Sequence, residues 1–233
     1  TRLSRFGYGA TIPTNEIGGV RMKILQRQIQ FRPECSLEGP AKVAEMVSHL
    51  NSITDFTWYG WQTLAGGPVG SCGLSTRADS WSDLMAAQPA MVEDAGWVSR
   101  AAELVGMYQE PAMDWVMSPI AGSENMPAEP SEILVNTINR AAFHNVSKAI
   151  DLSQQFVNMV NGIAGTPAAA LMTPLGEGGC SFAMLLYYGS IAEYEERNNP
   201  EVWSMVGDSP IQAEAQNIFD ASATQQIVAR RIA

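Results

Sequence analysis

Apolar residues recur along this chain with two periods that alternate, and the alternation comes round twice. Between positions 37 and 53, Val43, Met46, Val47, Leu50 and Ile53 fall at steps of three and four, which gathers them on one face of an amphipathic helix. Residues 21–31 (RMKILQRQIQF) read instead as a strand, stopped by Pro33. Residues 56–64 (FTWYGWQTL) are rich in aromatics and threonine, as strands are. The turn Ala65-Gly66-Gly67-Pro68 sends the chain back as a second strand over 69–77. Asp79 and Ser80 supply a helix N-cap. The helical pattern after them is interrupted or restarted at Pro89, resumes over 91–107, and gives way to a closing strand at 113–119.

A stretch with glycine, serine and two prolines but no period, residues 121–131, marks a domain boundary. The order then returns: a strand over 133–143, a helix over 146–163, strands over 168–175 and 180–188 joined by Gly176-Glu177-Gly178-Gly179, a broken helical region over 191–219, and a last strand over 224–232. Matching landmarks support a repeat, since Cys72 and Cys180 each follow a glycine-rich turn and Trp97 and Trp203 each lie in the second half of a broken helix. The expected organisation is an N-terminal arm (1–20), a first unit (21–120), a linker (121–131) and a second unit (132–233). Each unit reads β-α-β-β-α-β, the ferredoxin-like order, whose sheet buries one face under its helices and leaves the other needing a cover. Two such sheets face to face cover one another, so the fold class is α+β, with two tandem ferredoxin-like units forming an α+β barrel.

Composition narrows what this architecture does. With 46% hydrophobic residues in 233, each unit can bury a core of its own. A net charge of −10 with no dense Lys/Arg run repels a phosphate backbone, which argues against a nucleic-acid partner. No apolar window is long enough to span a bilayer, and the first residues lack the apolar core of a signal peptide, so a cytoplasmic address is the default expectation. Cys35, Cys72 and Cys180 are odd in number and widely spaced, which favours reduced thiols over a disulfide framework or zinc site. Neither a phosphate-binding glycine loop nor G-x-S-x-G nor H-E-x-x-H occurs.

The chain resembles the dimeric α+β barrel superfamily over roughly residues 21–233, in element order and repeat. Asp94-Ala95-Gly96-Trp97 and Asn199-Pro200-Glu201-Val202-Trp203, each restarting a helix, are similar to the restart found in NIPSNAP-type and antibiotic-biosynthesis-monooxygenase-type domains. The resemblance implies several activities: cofactor-free oxygenation of aromatic or polyketide substrates, isomerisation or cyclisation, haem binding or breakdown, or no chemistry at all. Fold does not choose among them.

Strand alternation supplies candidate residues. On 133–144, Asn136, Arg140 and His144 share one face. If that face lines the barrel, Arg140 offers a forked donor to an anionic or carbonyl oxygen and His144 a base. The competing reading is a wet sheet-to-sheet interface, with Arg140 paired to a carboxylate and His144 solvated at the strand end. Tyr59, Trp61, Tyr187 and Tyr188 either line a desolvating pocket or simply pack. In the first unit Gln26, Gln28 and Gln30 fall where the second has Asn136, Arg140 and His144, which points any activity to the second unit. A haem would need His144 as its axial ligand. Two functions are therefore expected: a cofactor-independent oxygenase or isomerase acting on a small hydrophobic carbonyl ligand, with Arg140 and His144 catalytic, Asn136 and the four aromatics binding, and neither metal nor cofactor; or a structural, self-assembling homo-oligomer. A homo-oligomer is expected on either reading.

Overall fold

The computed structural model describes residues 22–173 and 179–233. The arm expected over 1–20, and most of the turn expected at 176–179, lie outside them. The first half runs β1 (Lys23–Gln30), α1 (Gly39–Ile53), β2 (Trp58–Ala65), β3 (Ser71–Ala78), α2 (Trp81–Glu93), α3 (Ala95–Met107) and β4 (Met113–Ala121). The second runs β5 (Ile133–Ala141), α4 (Val146–Ala164), β6 (Ala168–Thr173), β7 (Cys180–Tyr188), α5 (Ile191–Arg197), α6 (Pro200–Gly207), α7 (Pro210–Ile218) and β8 (Gln225–Arg231). Each half thus has the β-α-β-β-α-β order, its last helical region divided into two or three pieces.

Alternation along the strands decides what each layer buries. Leu25, Ile29 and the following Phe31 point outward and pack on Val43, Met46, Val47 and Leu50 of α1. Ile133 and Val135 do the same against Val157 and Val160 of α4. Each such side chain, fully buried, contributes roughly 1.5–3 kcal/mol, so the helical layers are held mainly by these faces. The opposite faces meet inside, where Ile24, Met117, Leu171, Ala183, Leu185 and Tyr187 form a separate cluster.

The eight strands close into one antiparallel barrel in the order β1-β3-β2-β8-β5-β7-β6-β4. The halves are stitched by β2 against β8 and by β4 against β6. Closure is therefore complete within the chain. Every described strand has two hydrogen-bonded neighbours, and a closed barrel has no strand edge to offer a further subunit. No helix of the described residues is long and apolar enough to cross a membrane.

Three details position the sites. α2 runs through Pro89, and the break comes instead at Asp94, whose side chain accepts the Trp97 amide and caps α3. Asn199 caps α6 in the same way through Val202. The stretch between the halves closes one end of the barrel: Met126 packs into the interior cluster, Arg77 Nη1 donates to the Pro127 carbonyl at 2.7 Å, and Arg231 pairs with Glu129 at 2.6 Å. Gly122 makes the entry to this plug possible, with φ of +66° and a Cβ position only 2.3 Å from the Ala168 oxygen.

Candidate functional site

The expected site residues separate into four places. Tyr59, Trp61, Asn136 and Tyr187 line the barrel lumen together with Gln26, Gln28, Ser75 and Arg77, around a cavity of about 80 Å³. Trp61 Nε1 donates to Ser75 Oγ at 2.8 Å. Burial pushes the Tyr187 phenol up to about 12, against the charge of nearby Arg77, so it stays a neutral donor. Arg140 sits at the mouth opposite the plug, beside Gln28, Trp115, Ile138 and Gln225, in a recess of about 480 Å³. Its guanidinium makes no hydrogen bond or ion pair among the described residues.

The fourth aromatic and the histidines lie elsewhere. Tyr188 faces the helices and meets Tyr194 edge-on at 5.4 Å. His144 does not join Asn136 and Arg140: β5 ends at Ala141, Phe143–Asn145 turns as a 3₁₀ helix, and the imidazole is exposed. The strand alternation that placed it inside stops three residues too early. His49 Nε2 donates to Asp94 Oδ1 at 2.6 Å beneath the α3 cap. Neither histidine lines a helix-covered cleft, so neither is placed to serve as the axial ligand of a haem held there.

Two such clefts exist, one per half, between the outer sheet face and the helices. The second is about 380 Å³, lined by Phe156, Phe182, Met184, Trp203 and Phe219 with Thr137, Gln212 and Gln226. None of its lining residues is ionisable. The first is about 1030 Å³, walled by Phe56, Trp58, Trp81, Trp97, Met46 and Met91. Its ionisable groups, Arg27, Tyr108, Glu110 and Asp114, gather at one side. The helix restarts find their purpose here, for Asp94 and Asn199 start the helices that carry Trp97 and Trp203 into the two clefts.

At the polar side of the first cleft, Arg27 Nε and Nη2 donate to the two oxygens of Asp114, both at 2.7 Å. The pair is cross-strand, since Arg27 of β1 stands opposite Asp114 of β4. The Asp114 hydrogen bond raises the Arg27 pKa further above its ordinary value. Burial raises the Tyr108 phenol, partly offset by the Arg27 charge, so at neutral pH it is a hydroxyl able to donate. A guanidinium has five N–H donors, and Asp114 takes two, so the remainder are free for a ligand oxygen. In the second half the corresponding cross-strand pair is Thr137 of β5 and Gln226 of β8, joined by a neutral hydrogen bond of 3.1 Å. Proton transfer and charge stabilisation are thus available in the first cleft, while the second can only bind.

The ionisable lining residues thus gather in the first half, whereas the sequence comparison pointed any activity to the second unit. Comparing the glutamines of β1 with Asn136, Arg140 and His144 examined only inward faces. The signal that would have found the cleft is Arg27, a charge at a helix-facing position between Leu25 and Ile29.

No protein-family model matches the chain, and no curated protein matches it in sequence. Solved structures match its fold. A presumed monooxygenase from Fusobacterium nucleatum subsp. nucleatum superposes with a TM-score of 0.65 at 6% identity, over 91% of this chain and 93% of its own. An anthrone oxidase-like protein gives 0.64 at 10% identity over 93% of both chains. A presumed chlorite dismutase gives 0.55 at 7% identity, over 91% and 95%. At these identities the likeness is one of fold alone, a closed antiparallel barrel covered by helices with the β-α-β-β-α-β order occurring twice.

Proposed function

We propose that the first cleft takes a hydrophobic aromatic ketone or phenol and oxidises it with molecular oxygen without a bound cofactor, as an oxygenase of the α+β barrel type. The observation that carries this reading is the first cleft itself: a tryptophan- and methionine-lined space of about 1030 Å³ with its ionisable groups confined to one side. Apolar walls favour a flat, electron-rich ring system and strip water from it. Arg27 and the Tyr108 hydroxyl then face the ligand's one oxygen, and Asp114 keeps free lone pairs beside them to accept a proton.

The chemistry balances with oxygen as the only co-reactant. Asp114 takes a proton from the activated CH₂ of the ketone, and Arg27 and Tyr108 hold the resulting enolate oxygen. The enolate carbon gives an electron to O₂, the radical pair couples to form a C–O bond, and the proton returns to the distal peroxide oxygen. Loss of water breaks the O–O bond and the second C–H bond. The net change converts R₂CH₂ and O₂ into R₂C=O and H₂O, so one oxygen atom enters the product and one leaves as water.

The likeness to structures named as monooxygenases and as anthrone oxidase-like makes anthrone under ¹⁸O₂ the first substrate to try. Enzymatic turnover above spontaneous oxidation, with one labelled atom in the new carbonyl, is the expected result. The double variant Arg27→Thr/Asp114→Gln copies the neutral pair of the second half. It should still quench tryptophan fluorescence on ligand binding but turn over at least about 100-fold more slowly, the lower bound for losing a positioned acid–base group. Unchanged turnover in that variant would refute the assignment.

A further inference from the structure

From the lumen we infer that the barrel itself holds a second ligand site, for a small hydroxy-carboxylate or similarly sized oxyanion bearing one hydrogen-bond donor. The site is separate from the outer cleft, reached from the opposite face of the same strands.

The argument begins with Asn136. It is 5% exposed on the inward face of β5, and its Oδ1 is buried with no partner. A buried amide oxygen left unpaired costs about 1–3 kcal/mol, so a group that donates to it belongs in the lumen. Among the apolar residues of the interior the wall near it also carries polar side chains, where a barrel of this size would ordinarily be filled with aliphatic ones. Gln26 and Gln28 line the cavity, and neither side chain hydrogen-bonds to any described residue. Ser75 stands opposite Gln26 on β3, with Tyr187 nearer the plug.

Charge selects the ligand class. Among the described residues Arg77 lines the lumen and no carboxylate does, and Arg77 meets no acidic partner there, only the carbonyls of the plug and the Tyr187 hydroxyl. In a protein of net charge −10, the lumen is therefore a locally positive space. Its volume of about 80 Å³ admits two or three water-sized groups, at about 30 Å³ each, which suits a small carboxylate and excludes an aromatic one. An acceptor facing Arg77 and a donor facing Asn136 Oδ1 satisfy both ends at once.

A route is present as well. The plug lies at the Arg77 end, and at the other end Gln28 lines both the lumen and the recess that carries Arg140. Arg140 stands in that recess within electrostatic reach of Asp220, and Asp114 lines it as well.

The test uses glycolate as the charged probe and glycolamide as its neutral counterpart, titrated calorimetrically into the whole protein. Glycolate should give saturable heat that glycolamide does not. Asn136→Leu and Arg77→Met should each weaken glycolate binding by more than about tenfold, the loss expected for one hydrogen bond to a charged ligand, while circular dichroism stays native. Asn136→Leu should also match or exceed the thermal stability of the wild type, because it removes an unpaired polar atom. Absence of glycolate binding, equal binding of glycolamide, or a marked loss of stability in Asn136→Leu would overturn the proposal; the last would mean that water inside the barrel already satisfies the amide. The anthrone assay reads a different cavity, so either site can fail without the other.

Discussion

Gly39, at the start of α1, is packed closely enough against an aromatic ring to yield a sharp prediction. A Cβ added there would lie 2.2 Å from Phe31 Cδ2 and 2.4 Å from Cε2, where carbon pairs normally sit at about 3.5–4.0 Å. The ring cannot step aside, because Phe31 is 0% exposed and leans on Tyr108 with centroids 5.9 Å apart. Gly39→Ala must therefore shift α1 or the ring by more than an ångström. Overpacking of this kind costs about 1–3 kcal/mol. The gain from replacing glycine in a helix is at most about 1 kcal/mol, and smaller at a first-turn position. The net change should lower stability by about 0.5–2.5 kcal/mol, or roughly 1–10 °C in melting temperature for a chain of this size. Gly162 in α4 is the control, because a Cβ there meets nothing within 4 Å and Gly162→Ala should stabilise by roughly 0.5–1 kcal/mol. Urea unfolding followed by circular dichroism measures both. The same substitution should act with opposite signs, and Phe31→Leu should relieve the Gly39→Ala penalty, so that the double change costs less than the sum of the singles. If Gly39→Ala is neutral or stabilising, the packing argument fails.

Other predictions follow from the same geometry. The His49 hydrogen bond first, and the Trp97 amide second, hold the Asp94 carboxyl below its ordinary 3.8, so its contribution is present above about pH 4 and drains away as pH falls through the folded value; unfolding titrations at neutral and acid pH should show a flatter decline in Asp94→Asn, which keeps the helix cap. Cys72 and Cys180 are buried and Cys35 half-buried, and burial pushes the Cys72 thiol up to about 12; a disulfide reagent at mildly alkaline pH should modify Cys35 alone in the native protein and all three thiols after unfolding. At the plug, Met126→Ala should cost about 2–4 kcal/mol, as a buried methionine does, whereas Arg231→Ala removes a pair whose Glu129 is largely exposed and should cost less than about 1 kcal/mol. Equal costs would mean that the ion pair, and not the apolar plug, closes the barrel.

Much of the fold was legible because it is local. The period-two runs of β1, β2, β5 and β7 and the three-and-four spacing of α1 and α4 are written in consecutive residues. Barrel closure within one chain was not, since β2–β8 and β4–β6 join residues far apart in sequence and no local period records which edges will meet. The lumen was half legible. Alternation correctly grouped Asn136 with Arg140 on one face, but it was carried past Ala141, where nothing in Ala142-Phe143-His144 marks the turn that sends His144 to solvent. Proline misled in the opposite direction, because α2 absorbs Pro89 and yields to the stronger signal of the Asp94 cap. Arg77 and Arg27 were missed for one reason: a single charge on a strand reads as a solvated residue until the neighbours that leave it unpaired, or pair it across a cleft, are known.

The two halves share one scaffold but not one chemistry, and the difference lies in two side chains. Arg27 and Asp114 occupy the cross-strand position that Thr137 and Gln226 occupy in the other half, and each pair lines its own cleft. The Arg27–Asp114 pair is partly exposed, with 39% and 46% of the two side-chain surfaces accessible, so it adds only about 0–1 kcal/mol to stability. The neutral pair of the second half shows that this sheet position has an uncharged solution in the same chain. Packing alone therefore gives no reason for charge in the first cleft. The excess of ionisable groups there, beside a tyrosine whose phenol is raised by burial, is the observation on which the proposal of chemistry in the first half rests.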